Sequence, residues 1–292
     1  MQLSENVRVI ITLMRLPYIF MLDFLCVLFI VTFQKGLYSA ELVGLAVLTV
    51  SLITAGGAAI NDCFDRDSDA LTHPERPVAS HKISSAGAAK FSALMFFAGL
   101  GTSFAINSVA FGIVVMNVVL FIVYPRVVKR FSGFLSNLVM GYLGATIALF
   151  AGAVVFQTIN VDSLSFVGLI AGGAIGLNVL KDILTLEGDV SIGYATFAAT
   201  RGVRVAAVVG ALFLLFSVIT SPLPFIVGVV GVAYLFPIVV WGVTVVVTAV
   251  PLLSTPKIEN VRERLRLFTT YFPYIVGTAS VAYILPFIIW GA

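Results

Sequence analysis

A cluster of acidic residues follows a long apolar stretch early in the chain. The stretch at 42–60 carries no charge, and aspartates follow it at positions 62, 65, 67 and 69. On a helix, Asp62, Asp65 and Asp69 share one face, and Asp67 points away from it. Three carboxylates on one face repel one another unless a cation joins them, and Mg²⁺ binds through carboxylates together with the phosphates of a substrate. The cluster therefore predicts either a Mg²⁺–diphosphate site or a solvated surface loop.

A second acidic cluster favours the first of these interpretations. It follows the uncharged stretch 166–180 and contains Asp182, Glu187 and Asp189. Asp182 and Asp189 are seven residues apart, which places them on one face of a helix. Two such clusters on one side of a protein could clamp a diphosphate between metal ions, because cations neutralise the charge that develops on a leaving group.

The elements that position these clusters are predicted to be membrane-spanning helices. Of the 292 residues, 60% are hydrophobic and 11% are charged, whereas soluble domains have about 25% charged residues. A spanning helix needs about 20 mostly apolar residues, and the chain offers nine such runs. They are 17–34, 40–60, 90–107, 109–124, 134–157, 164–180, 203–220, 224–248 and 270–290. The predicted fold class is an all-α integral membrane protein with about nine transmembrane helices.

The chain shows no linker and no soluble segment long enough for another domain. We therefore expect one membrane-embedded domain over 1–292. Asp182 follows Asp62 by 120 residues (182 minus 62), so this domain could consist of two four-helix halves, about 10–130 and 131–250. One extra helix would complete the ring of helices around a central cavity.

The distribution of basic residues predicts the orientation. With nine spans and a cytoplasmic N-terminus, 16 of the 17 lysines and arginines fall on one side, and only Lys35 falls on the other. This asymmetry is typical of the positive-inside rule, so both acidic clusters are expected to face the cytoplasm from the cell membrane. The net charge of +3 is explained by this topology, and no basic soluble segment is present to bind a nucleic acid.

Further residues at the ends of the spans complete a recognisable set of motifs. They are Asn61, Asp62, Asp65, Asp69, Arg76 and Pro77 around the first cluster, Lys181, Asp182, Ile183, Glu187, Gly188 and Asp189 in the second, Tyr124, Lys129 and Arg130 after the fourth span, and Arg15 before the first. Together they resemble the motifs of the UbiA superfamily of intramembrane prenyltransferases. The resemblance covers residues 15 to about 201 by motif and the whole chain by its pattern of spans.

The resemblance implies Mg²⁺-dependent transfer of an isoprenyl group from a prenyl diphosphate to a lipophilic acceptor within the membrane. The acceptor would be an aromatic ring, such as a quinone precursor, or a prenylated glycerol phosphate. The surrounding partner is membrane lipid, and no obligate protein partner is inferred. The implied metal ligands are Asn61, Asp62, Asp65, Asp69, Asp182 and Asp189. The implied substrate-binding residues are Asn61, Arg15, Arg66, Lys129, Arg130 and Lys181. The implied catalytic residues are Asp62, Asp65, Asp69, Asp182, Asp189, Lys129 and Tyr124. For the basic residues, anchoring to anionic lipid is the alternative.

The second cluster departs from the family pattern at one position. The family usually has two aspartates four residues apart, ending at the position of Asp189, and here the earlier position is Thr185. Because a hydroxyl is a weak, neutral ligand, Asp182 or Glu187 could take over metal binding, the second site could be weaker, or this member could be unusual or slow.

Polar residues inside the predicted spans are further candidates. Asp23 lies in the first span, where an ionisable residue is costly and suggests a function. It could orient the acceptor or bond to a neighbouring helix. For Asn117, Asn137 and Asn178, we expect hydrogen bonds between helices.

The principal alternative function is that of a secondary transporter of a small anionic or lipophilic substrate. Transporters also combine repeats with polar residues at mid-membrane depth. However, the acidic residues here lie at the ends of spans and in the spacing of metal ligands. This placement favours the enzyme.

Overall fold

The computed structural model describes residues 5–34, 39–191, 193–254, 258–259 and 261–266, and omits the side chains of Asn6, Leu71, Thr72 and Arg130. Within these ranges all regular secondary structure is helical. Eight helical segments there are long and apolar enough to cross a membrane. The expected ninth span, 270–290, lies outside the described residues.

Fifteen α-helices of very different length follow one another in the described part of the chain. They are α1 Glu5–Met14, α2 Leu16–Phe33, α3 Ala40–Phe64, α4 Arg66–Thr72, α5 Ser85–Ile106, α6 Ser108–Val123, α7 Lys129–Phe131, α8 Gly133–Phe156, α9 Val161–Leu164, α10 Val167–Leu184, α11 Leu186–Ser191, α12 Phe197–Arg201, α13 Val203–Thr220, α14 Leu223–Ile226 and α15 Leu235–Ser254. A π-helical segment, Tyr124–Val128, continues α6, and a 3₁₀ turn, Val232–Tyr234, precedes α15.

The chain forms two compact units, one of residues 1–128 with 146–160 and the other of 129–145 with 161–292. In the first unit, α3 packs mainly against α5. Polar side chains tie this pair together: the Ser92 hydroxyl donates to the Gly56 carbonyl at 2.7 Å, and the Thr49 and Thr102 hydroxyls lie 2.8 Å apart. Such bonds and small residues hold helices together in lipid, where apolar burial alone provides no driving force.

The second unit is built on the pairing of α10 with α13. Glycines permit this close approach. A Cβ atom at Gly176 would lie 2.8 Å from the Gly210 carbonyl oxygen and 2.9 Å from the Leu214 nitrogen. Around this contact, Leu180, Ile183 and Leu214 are buried in one apolar cluster.

Some boundaries differ from the sequence prediction. Helix α3 continues four residues beyond the predicted end at 60, and α10 runs to Leu184 instead of 180, so the first acidic residues of both clusters are helical. The predicted span 224–248 is wrong in its first part. The chain turns at 227–231, where Gly228 has φ +78°, and the long helix begins only at Leu235.

We expect Gly176→Ala to destabilise the second unit, because the new methyl group would contact backbone atoms that cannot move aside. Overpacking of this kind costs about 1–3 kcal/mol. A thermal denaturation of the purified protein in detergent should show a lower Tm. Gly101→Ala is the matched control, since a Cβ there meets nothing within 4 Å; an equal loss in both variants would contradict the packing argument.

Candidate active site

The first acidic cluster lies where α3 passes into α4. The backbone bends at Asp65, but the hydrogen-bond ladder continues, with the Asp69 amide donating to the Asp65 carbonyl at 2.7 Å. The near-helical path gathers Asp62, Asp65 and Asp69, which are only 2%, 5% and 4% exposed. Asp67 is exposed, as its helical position predicts. The structure therefore separates three desolvated carboxylates from one solvated carboxylate.

Two arginines neutralise this cluster from different segments. Arg15, at the junction of α1 and α2, donates from Nη2 to Asp62 Oδ1 at 2.5 Å. Arg76, in the loop after α4, donates from Nη1 to Asp69 Oδ1 at 2.6 Å and lies 3.9 Å from Asp62 Oδ1. The loop thus folds back onto the cluster through Arg76. Asp62 is shared between both guanidinium groups.

The junction that carries Arg15 has an unusual backbone. Arg15 has φ +55° and ψ +54°, a left-handed conformation that non-glycine residues rarely adopt. The preceding helix is anchored, because Leu13 is fully buried in a cluster with Ala59, Val78 and Ala88. The packing of α1 and the ion pair to Asp62 together hold this strained conformation.

One carboxylate oxygen of the cluster has no partner within the described part of the chain. Asp69 Oδ2 is buried and accepts no hydrogen bond from any described residue. Burial raises the pKa of Asp69, while the hydrogen bond from Arg76 and its charge oppose this shift. A hard cation would satisfy such an oxygen, because desolvated carboxylates need a positive partner.

The oxygen atoms of the first cluster fit Mg²⁺ chemically. Asn61 donates from Nδ2 to Asp65 Oδ2 at 2.9 Å, which leaves its amide oxygen as a possible ligand. Among the described residues, however, no three carboxylate, imidazole or thiol side chains converge as a preformed metal site. Instead, Arg15 and Arg76 contact Oδ1 of Asp62 and Oδ1 of Asp69.

Neutral donors contact Asp182 and Asp189 in the second acidic cluster. Asp182, near the end of α10, accepts hydrogen bonds at Oδ2 from Asn137 Nδ2 at 3.0 Å and from the Phe197 amide at 3.2 Å. Asn137 lies on α8 and is 3% exposed. The sequence predicted that Asn137 forms a hydrogen bond between helices, and this is confirmed. It did not predict that the partner is Asp182 of the second cluster. The position of Asn137, 45 residues before Asp182, gave no signal of this pairing.

Thr185 has a definite role in the second cluster. Its hydroxyl donates to Asp189 Oδ2 at 2.6 Å, so the residue that replaces the usual aspartate orients the next carboxylate. Thr185 and Glu187 are exposed, and Asp182 and Asp189 are half-buried. The second cluster is therefore more solvated than the first.

The basic residues that were expected to bind the substrate differ in their contacts and exposure. Lys129 Nζ lies 4.6 Å from the ring centroid of Tyr194, a cation–π contact. Arg66 pairs with exposed Asp67 at 2.9 Å instead of with the buried aspartates. Lys181 is exposed and Tyr124 is half-buried. The side chain of Arg130 lies outside the described residues.

The remaining polar residues of the spans form local contacts. The Ser51 hydroxyl on α3 donates to Asp23 Oδ2 at 2.7 Å, which joins α2 to α3, and Asp23 Oδ1 is buried with no partner among the described residues. Asn117 donates to the Thr146 hydroxyl at 3.2 Å, as expected for a bond between helices. The expectation for Asn178 is wrong, since it donates to the Ala174 carbonyl of its own helix.

Long apolar helices and aspartate clusters at their ends define a membrane-embedded protein with candidate sites for a metal and an oxyanion. The model of the UbiA prenyltransferase family matches residues 24–272. The chain therefore belongs to the UbiA prenyltransferase family, and it is an intramembrane prenyltransferase.

Curated relatives narrow the comparison. The chain is 37% identical over 194 residues to digeranylgeranylglyceryl phosphate synthase of Methanosarcina mazei. This matched region covers 66% of each protein, just under two thirds. It is 34% identical over 215 residues to the Methanococcus aeolicus protein of the same name, covering 74% of this chain and 75% of that protein.

Solved structures show the same fold. A structure of digeranylgeranylglyceryl phosphate synthase in membranes matches with a TM-score of 0.80 and 24% identity, over 96% of this chain and 99% of the other. A UbiA homolog from Archaeoglobus fulgidus, bound to GPP and Mg²⁺, matches with a TM-score of 0.68 and 16% identity, over 92% of this chain and 99% of that one.

We expect Arg76→Gln to lower stability most in the absence of divalent metal. The substitution leaves the buried Asp69 carboxylate without its cation, and an unsatisfied buried charged group costs about 3 kcal/mol or more. Thermal shift assays in EDTA and in millimolar Mg²⁺ should show a large loss that Mg²⁺ partly restores.

The control is Arg66→Gln, which removes only an exposed ion pair with Asp67. Exposed pairs contribute about 0–1 kcal/mol, so this variant should unfold close to the wild-type temperature in both buffers. If Arg76→Gln behaves like the control, the ion pair with Asp69 does not stabilise the cluster.

Proposed function

We propose that this protein transfers a geranylgeranyl group from its diphosphate to a glycerol phosphate that already carries one such chain. The relatives are named for the product with two geranylgeranyl groups. The observation that carries the proposal is the desolvated cluster of Asp62, Asp65 and Asp69, with its unpartnered oxygen and its two arginines. Such a cluster suits a metal ion and a diphosphate better than it suits a neutral substrate.

Each acidic cluster is proposed to supply oxygen ligands for Mg²⁺. The proposed ligands are Asn61, Asp62, Asp65, Asp69, Asp182 and Asp189. When bound, Mg²⁺ would neutralise the negative charge that develops on the departing diphosphate. Asn137 and the Phe197 amide keep Asp182 in place. Both donate to Oδ2, so Oδ1 is the oxygen available to the metal.

Arg15 and Arg76 are proposed to move from the aspartates to the diphosphate when the prenyl diphosphate binds. Each guanidinium group can form a bidentate contact with phosphate oxygens. When the arginines leave the aspartates, the carboxylates would become available to the metal. The metal would then replace the arginines as the positive charge on the cluster. Lys129, Lys181 and Arg130 would add positive charge on the donor, and Tyr124 would lie beside it.

The proposed reaction exchanges one carbon–oxygen bond for another. The bond between C1 of the prenyl chain and the diphosphate breaks, and both electrons leave with the diphosphate. The hydroxyl oxygen of the acceptor then donates an electron pair to C1, and its proton passes to the diphosphate. Exclusion of water by the membrane-embedded helices would prevent hydrolysis of the allylic cation.

The orientation in the membrane is also part of the proposal. Both clusters are expected to face the cytoplasm, because nearly all lysines and arginines fall on that side of the predicted topology. The donor and acceptor would then enter from the cytoplasmic leaflet.

The proposed activity can be tested with purified protein, labelled geranylgeranyl diphosphate and a panel of acceptors that includes geranylgeranylglyceryl phosphate and quinone precursors. We expect product only with the phosphate acceptor, and loss of at least 100-fold in kcat on adding EDTA or in Asp65→Asn, since metal-assisted charge stabilisation is worth several kcal/mol. Asp67→Asn, which alters an exposed aspartate next to the cluster, should retain activity. Undiminished turnover in excess EDTA would rule out the metal mechanism.

The role of Thr185 can be tested by Thr185→Asp and Thr185→Val. The aspartate adds a further carboxylate to the second cluster, so we expect half-maximal activation and half-maximal thermal stabilisation at lower Mg²⁺ concentrations. The valine removes the hydroxyl that orients Asp189 and should raise both concentrations. If neither variant changes the Mg²⁺ dependence, Thr185 and Asp189 do not act on the metal.

A further inference from the structure

The second unit contains a groove that the proposed chemistry does not use. It has a volume of about 710 Å³ and lies between the start of α8, the short helix α12 and the start of α13. This volume is within the range of roughly 300–1,000 Å³ that is usual for small-molecule sites. Its lining is mostly apolar and includes Phe131, Phe134, Phe197, Val205 and Val209, with Arg201 at the end of α12.

The aromatic wall of the groove is held in place by tight packing. The rings of Phe134 and Phe197 lie 5.7 Å apart between centroids. Beneath them, a Cβ atom at Gly133 would lie 2.2 Å from the Phe197 nitrogen and 2.4 Å from the Thr196 carbonyl carbon. The backbones of α8 and α12 are therefore in direct contact, which fixes the floor of the groove.

A single charged side chain distinguishes the groove from an ordinary lipid-facing surface. The Arg201 side chain is exposed and forms no hydrogen bond or ion pair with any residue that the structure describes. A guanidinium group above an apolar wall is complementary to a lipid that ends in a phosphate, because it presents a planar fork of donors to the oxyanion.

Anchoring to the membrane surface would also place an arginine at the end of a span. Arg204 fulfils that role equally well: it is exposed, is unpaired among the described residues, and does not line the groove. Arg201 and Arg204 therefore form a natural comparison. They carry the same charge and lie three residues apart in the sequence, and their relation to the groove differs.

The groove is connected to the second acidic cluster through one residue. The ring of Phe197 lines the groove, and its backbone amide donates to Asp182 Oδ2 at 3.2 Å. A ligand that packs against Phe197 would therefore lie one residue away from a carboxylate of the candidate active site. A lipid that only surrounds the protein has no need of this connection.

We propose that the groove binds the acceptor, a singly prenylated glycerol phosphate, and so determines acceptor specificity. The phosphate would bind to Arg201, and the prenyl chain would lie along Phe131, Phe134 and Val205. The glycerol hydroxyl would then be directed towards the end of the groove next to Asp182. This assignment rests on the proposed function, because it takes the acceptor from that reaction.

The test compares Arg201→Gln with Arg204→Gln in the full-length enzyme, in nanodiscs of zwitterionic lipid. Loss of a charge-assisted bond to phosphate should raise the acceptor KM of Arg201→Gln by about 10-fold or more, with the donor KM and kcat unchanged. Arg201→Lys should recover part of the loss, and Arg204→Gln should match the wild type. Val205→Trp, which fills the groove, should also raise the acceptor KM alone.

Direct binding of geranylgeranylglyceryl phosphate, measured by calorimetry without donor, separates this proposal from the activity. If the wild type binds this lipid through Arg201 but forms no product, the proposed function fails and the groove assignment to this ligand stands. Equal acceptor KM values in the two glutamine variants, or a raised donor KM in Arg201→Gln, would overturn the groove assignment. The groove assignment would also be overturned if Arg201→Gln lost binding of phosphatidylglycerol but kept binding of geranylgeranylglyceryl phosphate, because this result would identify a site for membrane phospholipid.

Discussion

The cost of burying carboxylates at the edge of a membrane dominates this structure. A desolvated carboxylate needs a cation or several hydrogen bonds, and Asp62, Asp65 and Asp69 are almost fully buried. Arg15 and Arg76 meet this need from two separate segments. As a result, the junction of α1 with α2 and the loop after α4 are both tied to the end of α3. The cluster therefore determines the course of the chain around it.

The two acidic clusters satisfy the same requirement with different chemistry. The first uses guanidinium groups, whereas the second uses the amide of Asn137, the backbone of Phe197 and the hydroxyl of Thr185. Asp182 and Asp189 are only half-buried, which lowers the cost of holding them with neutral donors. Although the clusters are spaced similarly in sequence, they are not equivalent electrostatically, and the first has the greater need of a cation.

Sequence predicted the features that depend on local composition. Runs of apolar residues indicated the spans, and the spacing of Asp62, Asp65 and Asp69 indicated that they share one helix face; the face follows from helical periodicity. Partners distant in sequence could not be predicted, since the bond from Asn137 to Asp182 depends on how α8 packs against α10. The break at 227–231 was also missed, because apolar residues continue across a turn that one glycine enables.

The left-handed backbone at Arg15 makes the first span mechanically sensitive to charge. The conformation at φ +55° costs on the order of 1–3 kcal/mol, and the grip of Asp62 on the guanidinium helps to offset this cost. A ligand that draws Arg15 away from Asp62 removes that support, so the backbone is free to relax towards an ordinary helical geometry. Because Leu13 anchors α1 in the core, the relaxation would be expressed as a tilt of α2, and binding of an anion would become a movement of the span.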